Sequence, residues 1–290
     1  MKIVTDCAAD MPASELQALG VTQAPLFIQF PEGETSSADL SPDEFYTRLE
    51  AMRPAIPTTA QPSSGIFAEI YQTLARSGES ILSLHISSGL SGTFQTARAA
   101  SEQLAAQAQV AVWDTLTLSG GERFQVWAAA LAARAGWPLV AIQERLAAIR
   151  AATEVVYTLD TLEYLARGGR IGRVEALAGS LLNIKPVISV DHQDGKYNTI
   201  GKSRTIARAL TAIADHLHGL QAQTPLWVTV IHGRLANTAQ TLALELKQRL
   251  TVAKLETIRV SPVLGVHTGP GIVGVAALPI SLVGDLLQFA

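Results

Sequence analysis

Short apolar, β-branched runs alternate along the chain with longer stretches rich in Ala and Leu. The runs Lys2–Val4, Leu26–Phe30, Ile81–Ile86, Val110–Trp113, Val155–Thr158, Pro186–Val190, Trp227–His232 and Leu255–Val260 predict strands. Between them, Thr93–Gln107, Phe124–Arg134, Leu139–Ala152, Thr205–Leu217 and Thr238–Leu250 predict helices, and Tyr71 and Leu74 share a face of a further helix after Pro62. Ser41-Pro42-Asp43-Glu44 reads as a helix start: Ser41 caps, Pro42 takes the first helical position and Glu44 reaches back. This alternation predicts an α/β fold with largely parallel sheets. Asp194-Gly195, between Val187–Val190 and Tyr197–Ile200, predicts a hairpin in the second half. No Pro/Ser-rich linker separates the halves. Two domains in close contact are expected, residues 1–152 and 153–290, with a cleft between them.

Composition narrows the classes of function. Only 16% of the 290 residues are charged against 48% hydrophobic, which excludes a disordered chain. The net charge is −3 and no Lys/Arg-rich run occurs, so no nucleic-acid partner is expected. A single cysteine, Cys7, excludes an internal disulfide and a Cys-rich zinc site, and fits a cytoplasmic setting. The first residues reach Asp6 too soon to hold a signal-peptide apolar region. Val260–Gly284 is the least charged stretch, but His267, its prolines and its glycines argue against a membrane helix. No stable membrane insertion is expected, and at most transient membrane contact.

Four segments carry candidate chemistry. In Leu84–Gln95 an apolar strand runs into a Ser/Gly loop and then a helix, placing free amides and small hydroxyls at a positive helix end. Ser91 there is either a plain N-cap or a hydroxyl donor to an anionic ligand. The same segment approaches the esterase elbow G-x-S-x-G, but Thr93 replaces the second glycine. Pro57–Ser63 is an extended polar loop that either presents Thr hydroxyls or leads into a helix capped by Ser63 or Ser64. Asp160–Arg173 packs three arginines around glycines, reading either as an anion site or as a short helix ended by Gly168. His267–Gly274 contains G-x-G-x-x-G, but too near the C-terminus for a dinucleotide unit, leaving a glycine turn that holds His267. No nucleotide-binding loop and no zincin motif occurs.

Taken together these segments resemble the DegV family. Ile3–Asp10 resembles its opening strand and acidic turn, Thr59-Ala60-Gln61-Pro62-Ser63 its Thr-Ser-Gln-Pro-Ser loop, and Ser87–Gln95 its Ser-Gly-Thr helix start. Asp160–Ile171, Asn183-Ile184-Lys185-Pro186 and His267-Thr268-Gly269-Pro270-Gly271 follow in the family order. The resemblance implies a two-domain α/β fold: a mainly parallel sheet in the N-terminal domain, a second mixed domain, and a ligand tunnel between or beside them. It implies a non-catalytic protein that holds a long-chain fatty acid and presents its carboxylate to a separate ATP-dependent fatty acid kinase. The product is acyl phosphate for phospholipid synthesis. Thr59, Ser91 and Gly92 fall on the carboxylate-binding positions, and Arg170 and His267 on positions that present the head group. No cofactor and no metal is implied. Cys7 and Ala60 stand where the family usually shows serine, and the tail after Leu278 continues past its usual ending. A serine hydrolase using Ser91 and His267, and a lipid-sensing interaction protein without phosphotransfer, are the competing readings.

Overall fold

The computed structural model describes residues 1–175 and 184–290; Asn183 of the expected Asn-Ile-Lys-Pro segment lies outside them. A parallel four-stranded sheet is ordered β2-β1-β6-β7, from Val21–Ala24, Lys2–Asp6, Ile81–His85 and Val110–Asp114. A small antiparallel sheet joins β4 (Gly33–Ser36), β3 (Phe27–Phe30) and β5 (Thr58–Ala60). The third sheet has six strands, β10-β9-β8-β13-β11-β12, from Tyr197–Ser203, Lys185–Val190, Glu154–Thr158, Val273–Pro279, Leu226–His232 and Val252–Arg259.

Within the six-stranded sheet only β11 and β12 run parallel. The expectation of largely parallel sheets therefore holds for the first sheet and fails for this one. Two insertions cause this: β13, absent from the sequence reading, lies antiparallel between β8 and β11, and β9 lies antiparallel between β8 and β10. Nearly all of β13 is buried, so it shows no polar alternation, and its one glycine, Gly274, closes the turn-like run that begins at His267. The expected hairpin forms as β9 and β10, with Gly195 at φ 63° in its turn. The short strands β2, β4 and β5 also escaped the sequence reading.

The helices follow their patterns closely. In α2 (Pro42–Ala51) the Ser41 hydroxyl accepts from the Glu44 amide at 3.2 Å, as the capping sequence predicts. In α3 (Ser64–Ala75) Tyr71 is buried and Leu74 packs beside it. The helix α4 is shorter than expected, spanning Thr93–Gln103. Besides α5 (Ser119–Arg134), the remaining helices among the described residues are α1 (Ala13–Leu19), α6 (Leu139–Ala152), α7 (Glu163–Arg167), α8 (Ile206–Gln221), α9 (Ala236–Arg249) and α10 (Pro262–Thr268).

Central to the packing is α5 (Ser119–Arg134), buried from Ser119 to Ala132 and in contact with both large sheets. A helix apolar on nearly every side must be enclosed. Glycine permits its closest approaches: a Cβ on Gly120 would stand 2.7 Å from Cβ of Ala276 in β13. The tail beyond β13 packs here too. Val283 and Leu286 join the main core, and Arg134 and Arg145 bond carbonyls of Phe289 and Leu282 at 2.8 Å.

One charge inside this core is balanced from both sides. Arg123 of α5 donates to both carboxylate oxygens of Glu15 in α1, at 2.8 and 2.9 Å, and also to Glu256 in β12. Glu256 accepts further from Trp227 at 2.7 Å and Thr229 at 2.8 Å. Removing one member of such a set leaves partly buried charges unpaired. Arg123→Ala should lower stability by roughly 3 kcal/mol, read as a shift of the urea midpoint; a shift below about 1 kcal/mol would assign the set to ordinary surface pairing.

Candidate functional site

Three chain segments meet around a cavity of about 330 Å³. The first is β5. Its pairing of Thr59 with Ile28 of β3 fixes which face the threonine shows. The second is the loop from β6 to α4, which carries Leu90 and Ser91. The third is α10, whose last turn holds His267. Arg170, after α7, and Tyr197, at the start of β10, complete the polar part of the wall, while Leu26, Ile86 and Leu264 are among its apolar members.

Close contacts hold these segments in register. Gln61, two residues after Thr59, donates to the Thr96 hydroxyl of α4 at 2.7 Å. A Cβ on Gly92 would stand 2.3 Å from the Gln61 side-chain end, so the glycine lets that amide pack against the helix start. Gly89 meets the hairpin turn in the same way, with a Cβ placed 2.3 Å from the Asp194 carbonyl. The Ser87 hydroxyl donates to the Gly195 carbonyl at 2.9 Å. The hairpin thereby closes the side of the cavity that Tyr197 lines.

Thr59, Ser91, Arg170 and His267, widely separated in sequence, all line this cavity. Gly92 is the N-cap residue of α4, beside Ser91. Ser91 serves locally as well: its hydroxyl accepts from the Thr93 amide at 3.3 Å and lies 2.8 Å from the Thr93 hydroxyl. The capping alternative thus describes part of its bonding, and the side chain borders the cavity all the same. Arg170 is half-buried and donates to the Gly168 carbonyl at 2.6 Å.

His267 departs from expectation. It sits in the last turn of a buried helix, not in an outward-facing glycine turn. The reason is Pro262 and the apolar run after it, which start α10 before the glycines begin. Its Nε2 lies 2.8 Å from the Thr59 hydroxyl. Its Nδ1 is buried with no partner among the described residues. Gly168 leaves room for the ring, since a Cβ there would stand 2.2 Å from Nδ1. Burial, with the Arg170 charge second, lowers the His267 pKa to about 4, so the ring is neutral at pH 7. Among the described lining residues no carboxylate occurs, and Arg170 supplies positive charge. The arrangement suits an anion with an apolar body.

It does not suit a hydrolase. A serine nucleophile needs a histidine within hydrogen-bond reach, itself oriented by a third group. His267 bonds Thr59 rather than Ser91, and its other nitrogen has no orienting acid among the described residues. A Ser–His–Asp series does occur in β1 and β6: Ser83 lies 2.7 Å from His85, which lies 3.0 Å from Asp6. All three are fully buried, and Ser83 also accepts from Tyr71 at 2.9 Å. That series ties β6 to β1 and α3 in the interior.

Several wall residues escaped the sequence reading. Gln61 was visible only as part of its loop, and Tyr197 only as a hairpin strand. Gly168 ends α7, and its approach to His267, 99 positions away, leaves no local signal.

A model of the DegV family, described as an uncharacterised protein, matches residues 1–279. A DegV domain-containing protein of Deinococcus radiodurans is 37% identical, covering 96% of this chain and 95% of that protein. A DegV domain-containing protein of Streptomyces coelicolor is 34% identical, with 94% and 96% covered. The backbone is similar to a fatty-acid-binding DegV family protein from Thermus thermophilus, with TM-score 0.89, 30% identity, and 96% and 99% of the two chains covered. A stearic-acid-binding protein from Eubacterium ventriosum matches with TM-score 0.86, 25% identity, and 96% and 98% covered.

The depressed His267 pKa makes stability depend on pH. Between about 4 and the ordinary 6.5 the unfolded chain binds this proton and the folded chain does not. Stability linked to His267 is therefore complete above pH 6.5 and is lost as pH falls toward 4. His267→Gln removes the titration. The stability of the native protein relative to this variant should fall by up to about 3 kcal/mol across that window, measured by urea unfolding at a series of pH values; a difference that stays flat would mean the ring is solvated.

Proposed function

Because the chain belongs to the DegV family, we propose that this cavity takes the carboxylate end of a long-chain fatty acid, which the protein presents to a separate fatty acid kinase. The kinase uses ATP to form acyl phosphate for phospholipid synthesis in the cytoplasm. The observation that supports this most is the meeting of Thr59, Ser91, Arg170 and His267 on one cavity walled otherwise by side chains such as Leu26, Ile86 and Leu264.

On this reading the Thr59 and Ser91 hydroxyls, with the Gly92 amide at the start of α4, replace the water around the carboxylate. A carboxylate taken out of water costs several kcal/mol unless donors replace its hydration. Hydroxyls and amides do so without a full salt bridge, which leaves release possible. The gain comes from the chain: about 14 buried methylenes at ~0.8 kcal/mol each give roughly 11 kcal/mol before association costs. Leu264 also borders a nearly closed apolar space with Leu118, Val155 and Ile231. A long acyl chain extends in that direction by moving these side chains apart. His267 orients Thr59, and Arg170 steadies the negative charge that grows as a phosphoryl group arrives.

The direct test is mass spectrometry of an organic extract of the purified protein, expected to show a fatty acid of about 16–18 carbons, the length whose burial offsets association costs. Thr59→Ala and Ser91→Ala should each weaken calorimetric binding of that acid by roughly 1–3 kcal/mol. Delipidated protein that binds no long-chain acid sinks the proposal.

Arg170→Ala addresses presentation separately. It should keep most of the fatty-acid affinity yet slow acyl phosphate formation when a fatty acid kinase and ATP are supplied. A wild-type rate would remove Arg170 from that role, and no phosphorylation at all, with native protein and several kinases, would favour a lipid-sensing protein without phosphotransfer.

A further inference from the structure

Leu264 of α10 lines the first cavity and also the small apolar space walled by Leu118, Val155 and Ile231. Among the described residues it is the one side chain common to both. The two spaces are unequal. The first holds about 330 Å³, at the small end of ligand pockets. The second holds about 10 Å³, room for at most a single water. Beside Leu264 the boundary is aromatic. Tyr197 of the first cavity packs edge-to-face on Tyr157 of the second, with ring centroids 5.7 Å apart. Both rings are buried, and turning either one would break that contact. Leu264 is less constrained. It stands one turn before His267 on the same face of α10, and a leucine in a helix has two staggered positions at χ1 open to it. A β-branched residue there would keep to one.

We propose that Leu264 sets the acyl-length selectivity of the site, as a side-chain gate that a long chain turns aside and a short chain leaves in place. This rests on the fatty-acid reading of the first cavity. A short acid is held within the first cavity alone. A long-chain acid needs more room, and its end enters the apolar space behind Leu264. Rotation of Leu264 to its other staggered position joins the two spaces while the α10 backbone stays in place. His267 therefore keeps its bond to Thr59, and the head-group end is undisturbed. Each further methylene buried behind the gate adds about fourfold in affinity, a gain that depends on the leucine being free to turn.

Calorimetric dissociation constants for octanoate and palmitate, each below its micelle concentration, test this through their ratio. Leu264→Ile keeps the side-chain volume but holds one staggered position, and should reduce the advantage of palmitate roughly fivefold. Leu264→Met is similar in volume and more flexible, and should preserve that advantage. Thr59→Ala should weaken both acids together and leave the ratio as it is, which separates the gate from the head-group contacts. In crystals, Leu264 should occupy a different χ1 position in the palmitate complex than in the octanoate complex. If Leu264→Ile gives the native ratio, or if palmitate leaves Leu264 unturned, the gate is overturned while the fatty-acid reading stands. If the native protein binds neither acid, that reading falls and the gate falls with it.

Discussion

The enclosure of α5 between two sheets is the constraint from which the other arrangements follow. Its residues from Ser119 to Ala132 are all buried, so every polar group it carries must find a partner inside the protein or lose its charge. Arg123 keeps its charge through Glu15 and Glu256, which come from opposite ends of the chain. Glu122 has no such countercharge: burial, with Asp6 nearby, pushes its pKa well above the ordinary value. Among the described residues its carboxyl accepts one bond, from the Thr5 hydroxyl at 3.2 Å. Glycines at 120 and 121 bring the helix against β13 and β8, where bulkier residues would hold the sheets apart.

That enclosure sets where ligand space is left. The first cavity opens where three segments meet: the strand β5, the loop before α4 and the short helix α10. Each contributes a polar group that is cheap to expose on its own. Thr59 and Ser91 carry small hydroxyls, Arg170 is half-buried, and His267 is neutral at physiological pH. Together they make an electropositive, hydrogen-bonding end to an apolar space. The cavity wall and the packing of α10 are thereby coupled, since His267 bonds Thr59 while lining the cavity itself.

How legible this was differs from residue to residue. Thr59, Ser91 and Gly92 stand in short segments whose small polar residues beside Pro or Gly already mark a loop at a helix start. Arg170 and His267 stand in segments whose order along the chain resembles the DegV family, and the cavity includes both. Gln61, Gly168 and Tyr197 were not legible as site residues, because each matters through a contact with a distant segment. The strand β13 was hidden for another reason: buried on both faces, it lacks the polar alternation that betrays a half-exposed strand.

The sequence by itself determined the local elements, since periodicity, capping residues and turn residues act over a few positions. It showed the start of α2, the hairpin at Asp194-Gly195 and the length of α6. It also brought the candidate hydroxyls into view. Tertiary structure alone decided the pairing of strands, the antiparallel place of β13 and the burial of His267 with its lowered pKa. It alone brought Arg123 between Glu15 and Glu256. Desolvation and charge pairing depend on what surrounds a group in space, and those neighbours lie as many as 251 positions apart along the chain.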